Sequence, residues 1–388
     1  MLTTLSLTPS FGFGDRLGLA TPGHIAALRG TKFAPIFAQQ SVRENSRTGR
    51  TPGQVMDDAR RAVDAAKWDA PWGADADHLK TVDDLPAFIQ AGYTFFTVDP
   101  GEHVDNAADA DPLDVLKKKT AKFNWDELSA LYLQQKTGQA WGQFETESLQ
   151  RAVAKYGGAI QHAASMFKRL SELKDEFDFE VSVDETDSPT TPLEHFFIAS
   201  ELTRLGVKFT SLAPRFIGRF EKGVDYIGDL TALDEELGKH AAVTSHFGTY
   251  KLSLHSGSDK FSVYPLVAKH WGKHIHVKTA GTSYLEALRV LASHEPDLFL
   301  KIYALGRECY EVDKRTYHVS AELKLLPDTK DLPSLLNDFH AREVLHVTFG
   351  SAIGKFGVEL KSALVRHEAA YYEGLQTHFE KHLSLLKD

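Results

Sequence analysis

At 388 residues, with 42% hydrophobic and 25% charged side chains, the chain is long enough to bury a large core without disulfides, and its one cysteine, Cys309, reads as a structural thiol. A formal net charge of −9 excludes a generally basic nucleic-acid-binding surface, while leaving room for local cations that would hold an anionic small molecule. No run approaches about 18 uncharged apolar residues, and MLTTLSLTPSFGFGDRLG lacks a secretory pattern, so a cytoplasmic protein without a membrane span is expected.

Short β-branched or aromatic runs alternate with longer amphipathic ones along the chain. The first predicted strand is KFAPIFAQ (32–39), followed by a helix over 51–66 that opens with Thr51 as N-cap and Pro52 at the first turn. GADADHL (73–79) is the second strand, VDDLPAFIQAG (82–92) a helix ending in glycine, and GYTFFTVD (92–99) the third strand. Residues 106–176 lack strand signals and read as a helical insertion. FDFEVSVDE (177–185), a helix over 188–206, VKFTSLAP (207–214), YKLSLHS (250–256) and HIHVKTAG (274–281) follow, then a helix over 282–294. EVLHVTFG (343–350) reads as an eighth strand, and SALVRHEAAYYEGLQTHFEKHLSLLKD as one long closing helix.

Eight strands interleaved with helices predict an α/β fold, a single (β/α)₈ TIM-type barrel over 1–388, with a doubly wound sheet as the alternative. In such a barrel the carboxyl ends of the strands carry the chemistry. The polar residues there are Gln39, Gln40, Asp77, His78, Asp99, Asp184, Glu185, Arg215, His255, Ser256, Lys278, Thr279 and Thr348.

Strand parity sharpens two segments. In KLSLHSG, Leu252 and Leu254 share one face and Ser253 and His255 the other; in HIHVKT, Ile275 and Val277 oppose His276 and Lys278. The apolar faces belong against the helices, which turns His255 and Lys278 inward. In FDFEVSVDET parity leaves Asp184 and Glu185 undecided. His255 followed by Ser-Gly-Ser-Asp-Lys suits a ligand at a tight turn, or equally a hydrogen-bonded core histidine. Asp77-His78 suits a base beside a metal ligand, or a capping acid beside a surface histidine. Two imidazoles with one carboxylate would suit a first-row divalent cation. GFGDRLG lacks the dinucleotide fingerprint and a clear preceding strand, and FGSAIGKF lacks the spacing of a phosphate loop.

Several blocks together resemble the tagaturonate/fructuronate epimerase family. They are GFGDRLGLATPGH (12–24), FAQQSVRENSRTGRTPGQVMDDAR (37–60), GADADHLKT (73–81), GYTFFTVDPGEH (92–103), VDETDSPTTPLEH (183–195), APRFIGRFEKGVDYIGD (213–229), KLSLHSGSDKFSVYP (251–265) and HVKTAGTSYLEALR (276–289). The resemblance implies a divalent-metal isomerase, with Zn, Mn, Ni, Co or Fe as the ion, that inverts C4 of a 2-keto uronate or of the neutral pair tagatose and fructose. Position by position it implies His78, Glu221 and His255 as metal ligands and Asp77 and Glu185 as the acid/base pair. Gln40, Arg215, Ser256, Lys260 and Lys278 are the candidates for binding substrate.

C4 of a 2-ketose is not adjacent to the ketone, so its hydrogen is not acidic, and a retro-aldol cleavage of C3–C4 followed by re-addition is the expected route. Two other functions compete: a Schiff-base aldolase using Lys278, and a non-catalytic sugar-binding protein.

Overall fold

Polar and apolar residues alternate along eight parallel strands that close into a barrel in strict sequence order. The strands are β1 Ser10–Gly14, β2 Ala34–Ser41, β3 Gly73–Leu79, β4 Phe95–Val98, β5 Asp178–Ser182, β6 Ser211–Ala213, β7 Lys251–Leu254 and β8 Ile275–Thr279. β1 closes the ring by pairing with both β2 and β8. The computed structural model describes residues 1–134 and 140–387. Positions 135–139 of the expected insertion, and Asp388 of the expected closing helix, lie outside them. Among the described residues, no helix is long and apolar enough to cross a membrane.

The apolar parity of each strand meets the surrounding helices. Phe13, Phe96, Phe179, Leu252, Leu254 and Val277 all belong to the main core. The opposite parity fills the barrel with polar groups: Asp75, Thr97, Glu180, Ser253, His276 and Lys278 are at most 4% exposed. Burying so many polar groups is tolerable only where each finds a partner, and that requirement shapes the site below.

The barrel is as expected, but two of its predicted strands are not. SFGFG is β1, and EVLHVTFG is helical. β1 hides because two glycines interrupt its aromatic alternation; a Cβ at Gly14 would stand 3.0 Å from the Thr279 carbonyl and the Ala280 backbone beyond β8, and one at Gly12 would displace the Gln39 amide of β2. EVLHVTFG lies in the helices Phe339–Val347 and Phe349–Arg366. Every residue from Ala341 to Phe349 is buried, and a helix buried on all sides looks the same in sequence as a buried strand. Thr348, expected on the catalytic rim, instead donates its hydroxyl to the Val344 carbonyl at 2.7 Å. FGSAIGKF opens the second of these helices and follows no strand. The expected closing helix is split at His367 into Phe349–Arg366 and Glu368–Leu385.

Between β4 and β5 run the helices Leu113–Thr120, Trp125–Leu133 and Thr146–Leu173, as the absence of strand signals predicts. Lys155, on the third of them, is 1% exposed at its side chain. It donates to Asp109 at 2.9 Å and Ser188 at 2.6 Å, tying this region to the loop after β5. Replacing Lys155 with methionine removes the buried cation shared by the partly exposed Asp109 and by Glu194, 3.6 Å away, while the Ser188 hydroxyl still reaches Asp109, so a loss of about 1–2 kcal/mol in denaturant unfolding is expected.

Candidate active site

Four strands deliver charged side chains to one end of the barrel. β3 contributes Asp75 and Asp77, with His78 after them; β5 contributes Glu180, with Asp184 just beyond; His255 follows β7, and β8 contributes Lys278. All of Asp75, Asp77, Glu180 and Lys278 share the inward parity. His78 reaches the group because the chain turns there: its φ is +53°, a left-handed conformation that costs a non-glycine residue about 1–2 kcal/mol. Ser256, next to His255, is held the same way at φ +49°.

Each imidazole is gripped from behind by a carboxylate. His78 Nδ1 lies 2.9 Å from Asp77 Oδ1, and His255 Nε2 lies 2.7 Å from Glu180 Oε1. The Glu180 contact is a hydrogen bond and sets the proton of a neutral His255 on Nε2, whereas the Asp77 contact, between neighbouring residues, is close in distance without hydrogen-bond geometry. The inner nitrogens, His78 Nε2 and His255 Nδ1, face Asp184 Oδ1 at 3.7 and 3.3 Å, and His255 Nδ1 also lies 3.3 Å from the Ser182 hydroxyl. The three inner atoms all lie within 4.8 Å of one another. Beneath them the Lys278 ammonium lies 2.6 Å from Asp75 Oδ2 and 2.9 Å from both Asp77 Oδ1 and Glu180 Oε1, the same oxygens that hold the two histidines.

This donor set fits a divalent cation. Ligand atoms about 2.1 Å from a common ion stand roughly 3.0–3.4 Å apart, close to the separations from Asp184. Carboxylates behind ligating histidines are a usual second layer of metal sites. Charge points the same way, since the cluster holds four carboxylates, Asp75, Asp77, Glu180 and Asp184, and one ammonium, Lys278. Burial opposes protonation of both rings, but Asp77 and Asp184 outweigh it at His78, and Asp184 and Glu180 at His255, so both imidazole pKa values are raised. The cluster therefore favours two added positive charges, a demand that two protons or one dication meets.

The cluster opens into a cavity of about 260 Å³ bounded by Asp184, Glu185, His255 and Ser256 on one side, with Arg215 and Lys222 among its other lining residues. Glu185 lies 3.2 Å from Arg43. Burial raises the Glu185 pKa, but His78, Arg43 and Lys222 overcome this and Asp184, so it is lowered. Burial likewise opposes ionisation of Asp77, but His78 and Lys278 hold its carboxyl well below the usual range.

The structure thus brings together Asp77, His78, Glu185, His255, Ser256 and Arg215 of the expected residues. Glu221 also lines the cavity, but its carboxylate is not in the ligand cluster. Its Oε2 accepts from the Ser320 amide at 2.9 Å and hydroxyl at 2.7 Å, and Asp184 takes the place beside the imidazoles. Two residues expected to contact substrate are engaged by other protein groups in the structure. Lys260 is buried, donates to the carbonyls of Glu221, Val224 and Ser258, and is not among the residues lining the cavity. Gln40 accepts from Arg50 at 3.1 Å and donates to Thr48 at 3.2 Å, inside the connection after β2. Lys278 points inward as parity requires, but three carboxylates hold it below the imidazoles. They also raise its pKa against the effect of burial, keeping it the protonated amine that a Schiff-base nucleophile cannot be.

Asp75, Glu180 and Lys222 went unrecognised. The first two were readable: Asp75 and Asp77 alternate on one face of GADADHL, as do Asp178, Glu180, Ser182 and Asp184 in the next acidic strand.

A second group, Asp259, His378 and His382, also has ligand atoms within 4.8 Å. Its donors are already in use. His382 Nε2 accepts from the Asp259 amide at 3.0 Å, and Arg342 lies 2.9 Å from Asp259 Oδ2. This is a clamp joining the end of the chain to the barrel.

The family model described as UxaE, tagaturonate epimerase, matches residues 3–386. The tagaturonate/fructuronate epimerase of Thermotoga maritima is 44% identical over 390 residues, which cover 98% of this chain and 81% of that protein. The glycerol-complexed crystal structure of fructuronate-tagaturonate epimerase UxaE from Cohnella laeviribosi superposes with a TM-score of 0.95 at 39% identity, over 100% of this chain and 83% of that one. Its native crystal structure also gives 0.95 at 39% identity, covering 99% and 83%.

Proposed function

Because the chain belongs to the tagaturonate epimerase family, we propose that it interconverts tagaturonate and fructuronate by inverting C4, using a divalent cation held by His78, His255 and a carboxylate of the cavity. Tagatose and fructose are the corresponding neutral pair. The observation that supports this reading most is the convergence of one nitrogen of each imidazole on Asp184, with Asp77 and Glu180 close to the opposite ring nitrogens. A first-row ion such as Zn, Mn, Ni, Co or Fe suits this donor set. We place the enzyme in the cytoplasm, as one barrel domain with the 106–176 region as its insertion.

When bound, the ion supplies Lewis-acid stabilisation of the negative charge that develops on the keto half of the sugar. The remaining work falls to the chain. We assign proton transfer to Asp77 and Glu185, both ionised and so able to accept a proton. Glu185, at the cavity wall, takes the C4 hydroxyl proton as C3–C4 breaks, the bond's electron pair staying with C3. The C4 aldehyde turns about C4–C5, C3 attacks its other face, and the new C4 alkoxide recovers the proton from the acid pair. No oxidant is consumed, and the product is an isomer.

The test is to incubate cation-loaded protein with tagaturonate and, separately, fructuronate, and to follow C4 by NMR. Inversion that stops with chelator and returns with metal is expected; no inversion of either sugar acid would overturn the reading. The choice of carboxylate ligand is separately testable. Asp184→Asn is expected to weaken cation binding about 10–100-fold, and more than Glu221→Gln does. The reverse order would assign the ligand to Glu221.

A further inference from the structure

The cavity has a cationic side that the cleavage chemistry alone does not explain. Four cations stand at or beside it, and two already carry carboxylates: Arg43 lies 3.2 Å from Glu185, and Arg219 lies 3.3 Å from Glu221. The other two, Lys222 and Arg215, line the cavity and have no carboxylate partner among the described residues. The Lys222 ammonium donates to the Ser256 hydroxyl at 2.6 Å. That hydroxyl is presented by a backbone held at φ +49°, immediately after His255. The Arg215 backbone amide is fixed at 3.2 Å by Thr190, while no side-chain hydrogen bond or ion pair engages its guanidinium among the described residues. A partly buried ammonium and guanidinium with no carboxylate in salt-bridge contact among the described residues, in a cavity whose other wall is acidic, are set for an anionic group brought by the ligand.

We propose that Lys222, supported by Ser256 and joined by Arg215, binds the C6 carboxylate of the sugar acid and so selects a uronate over a neutral ketose. This rests on the reading above and adds a reason for it. Breaking C3–C4 of a hexuronate divides it into two three-carbon halves, and the carboxylate belongs to the aldehyde half, which must turn without leaving. A clamp on C6 holds that half while C4–C5 rotates. A neutral ketose offers only a hydroxyl there.

The experiment uses the full-length, cation-loaded protein and measures both calorimetric affinity and turnover for tagaturonate and for tagatose. Lys222→Met and Arg215→Gln are each expected to lower the uronate-to-ketose preference about 30-fold, the effect of losing one charge-assisted hydrogen bond. More trapped three-carbon aldehyde acid should be released per epimerised product, and Lys222→Arg should restore part of the preference. An unchanged preference, with both sugars affected equally or neither affected, overturns the assignment. The two readings fail separately. Uronate bound through Lys222 but never inverted would sink the epimerase reading alone, and uronate inverted by wild type and Lys222→Met alike would sink the clamp alone.

Discussion

If the proposed divalent cation is bound as inferred above, replacing His255 with alanine is expected to lower kcat/KM at least about 1,000-fold and to leave the purified protein without that cation. His255 faces two ways. Its Nδ1 points at Asp184, 3.3 Å away, and its Nε2 meets Glu180 at 2.7 Å. Truncation therefore removes one of three converging ligand atoms and also a partner of a carboxylate that is fully buried. The first loss accounts for the activity, since about 4 kcal/mol of transition-state stabilisation corresponds to 1,000-fold. The second is partly offset by Lys278, 2.9 Å from the same Glu180 oxygen, so the fold should survive with a modest fall in Tm. Metal content by mass spectrometry, kcat/KM on tagaturonate and a thermal melt separate the effects. Added imidazole should restore part of the activity. A variant that keeps one cation per chain and works within tenfold of wild type would refute the role given to His255.

How much of this was legible in the residues depended on which physical signal each part used. Period-2 alternation turned His255 and Lys278 inward correctly, because KLSLHS and HIHVKT each have one wholly apolar face for the helices. The same rule, applied to GADADHL and DFEVSVD, leads to Asp75 and Glu180, which lie within their strands rather than at the carboxyl ends that point to candidates. β1 escaped because glycines demanded by close strand approach erase the propensity signal, and the helix over 339–347 because complete burial erases periodicity. The partners of Lys260 and Gln40 were out of reach: both look like rim residues in sequence, and only the tertiary fold shows which carbonyls and side chains engage them. Lys222 lay beyond sequence for a related reason. Its significance is that no carboxylate makes salt-bridge contact with it among the described residues, and that is a property of the folded cavity.

Lys278→Met is expected to cost about 3–5 kcal/mol of stability and to abolish turnover, the largest combined effect of any single change at the site. The ammonium is surrounded by Asp75 at 2.6 Å and by Asp77 and Glu180 at 2.9 Å each, all buried. Without it three acids face one another in the barrel interior, and the two that aim His78 and His255 lose their common anchor. The loss should depend on pH. Burial, with Asp77 and Glu180 adding and Lys278 opposing, already raises the Asp75 pKa to about 7. A carboxyl with a raised folded pKa contributes stability that is present below its unfolded value, about 3.9, and is lost as pH rises through the folded one. Removing Lys278 strengthens that penalty, so the variant's deficit in urea unfolding should be smaller at pH 5 than at pH 8. Asp75 touches neither histidine, so Asp75→Asn in the same chain should recover part of the stability at pH 8, where Asp77→Asn would recover stability but not activity. The same variant separates the metal enzyme from a Schiff-base aldolase. If Lys278 only anchors carboxylates, borohydride traps no substrate on the wild-type protein, and the double variant Lys278→Met/Asp75→Asn regains some cation binding. Covalent trapping at Lys278 in wild type, or a single variant as stable as wild type at pH 8, would show that this ammonium is not the common anchor of the two histidine-orienting carboxylates.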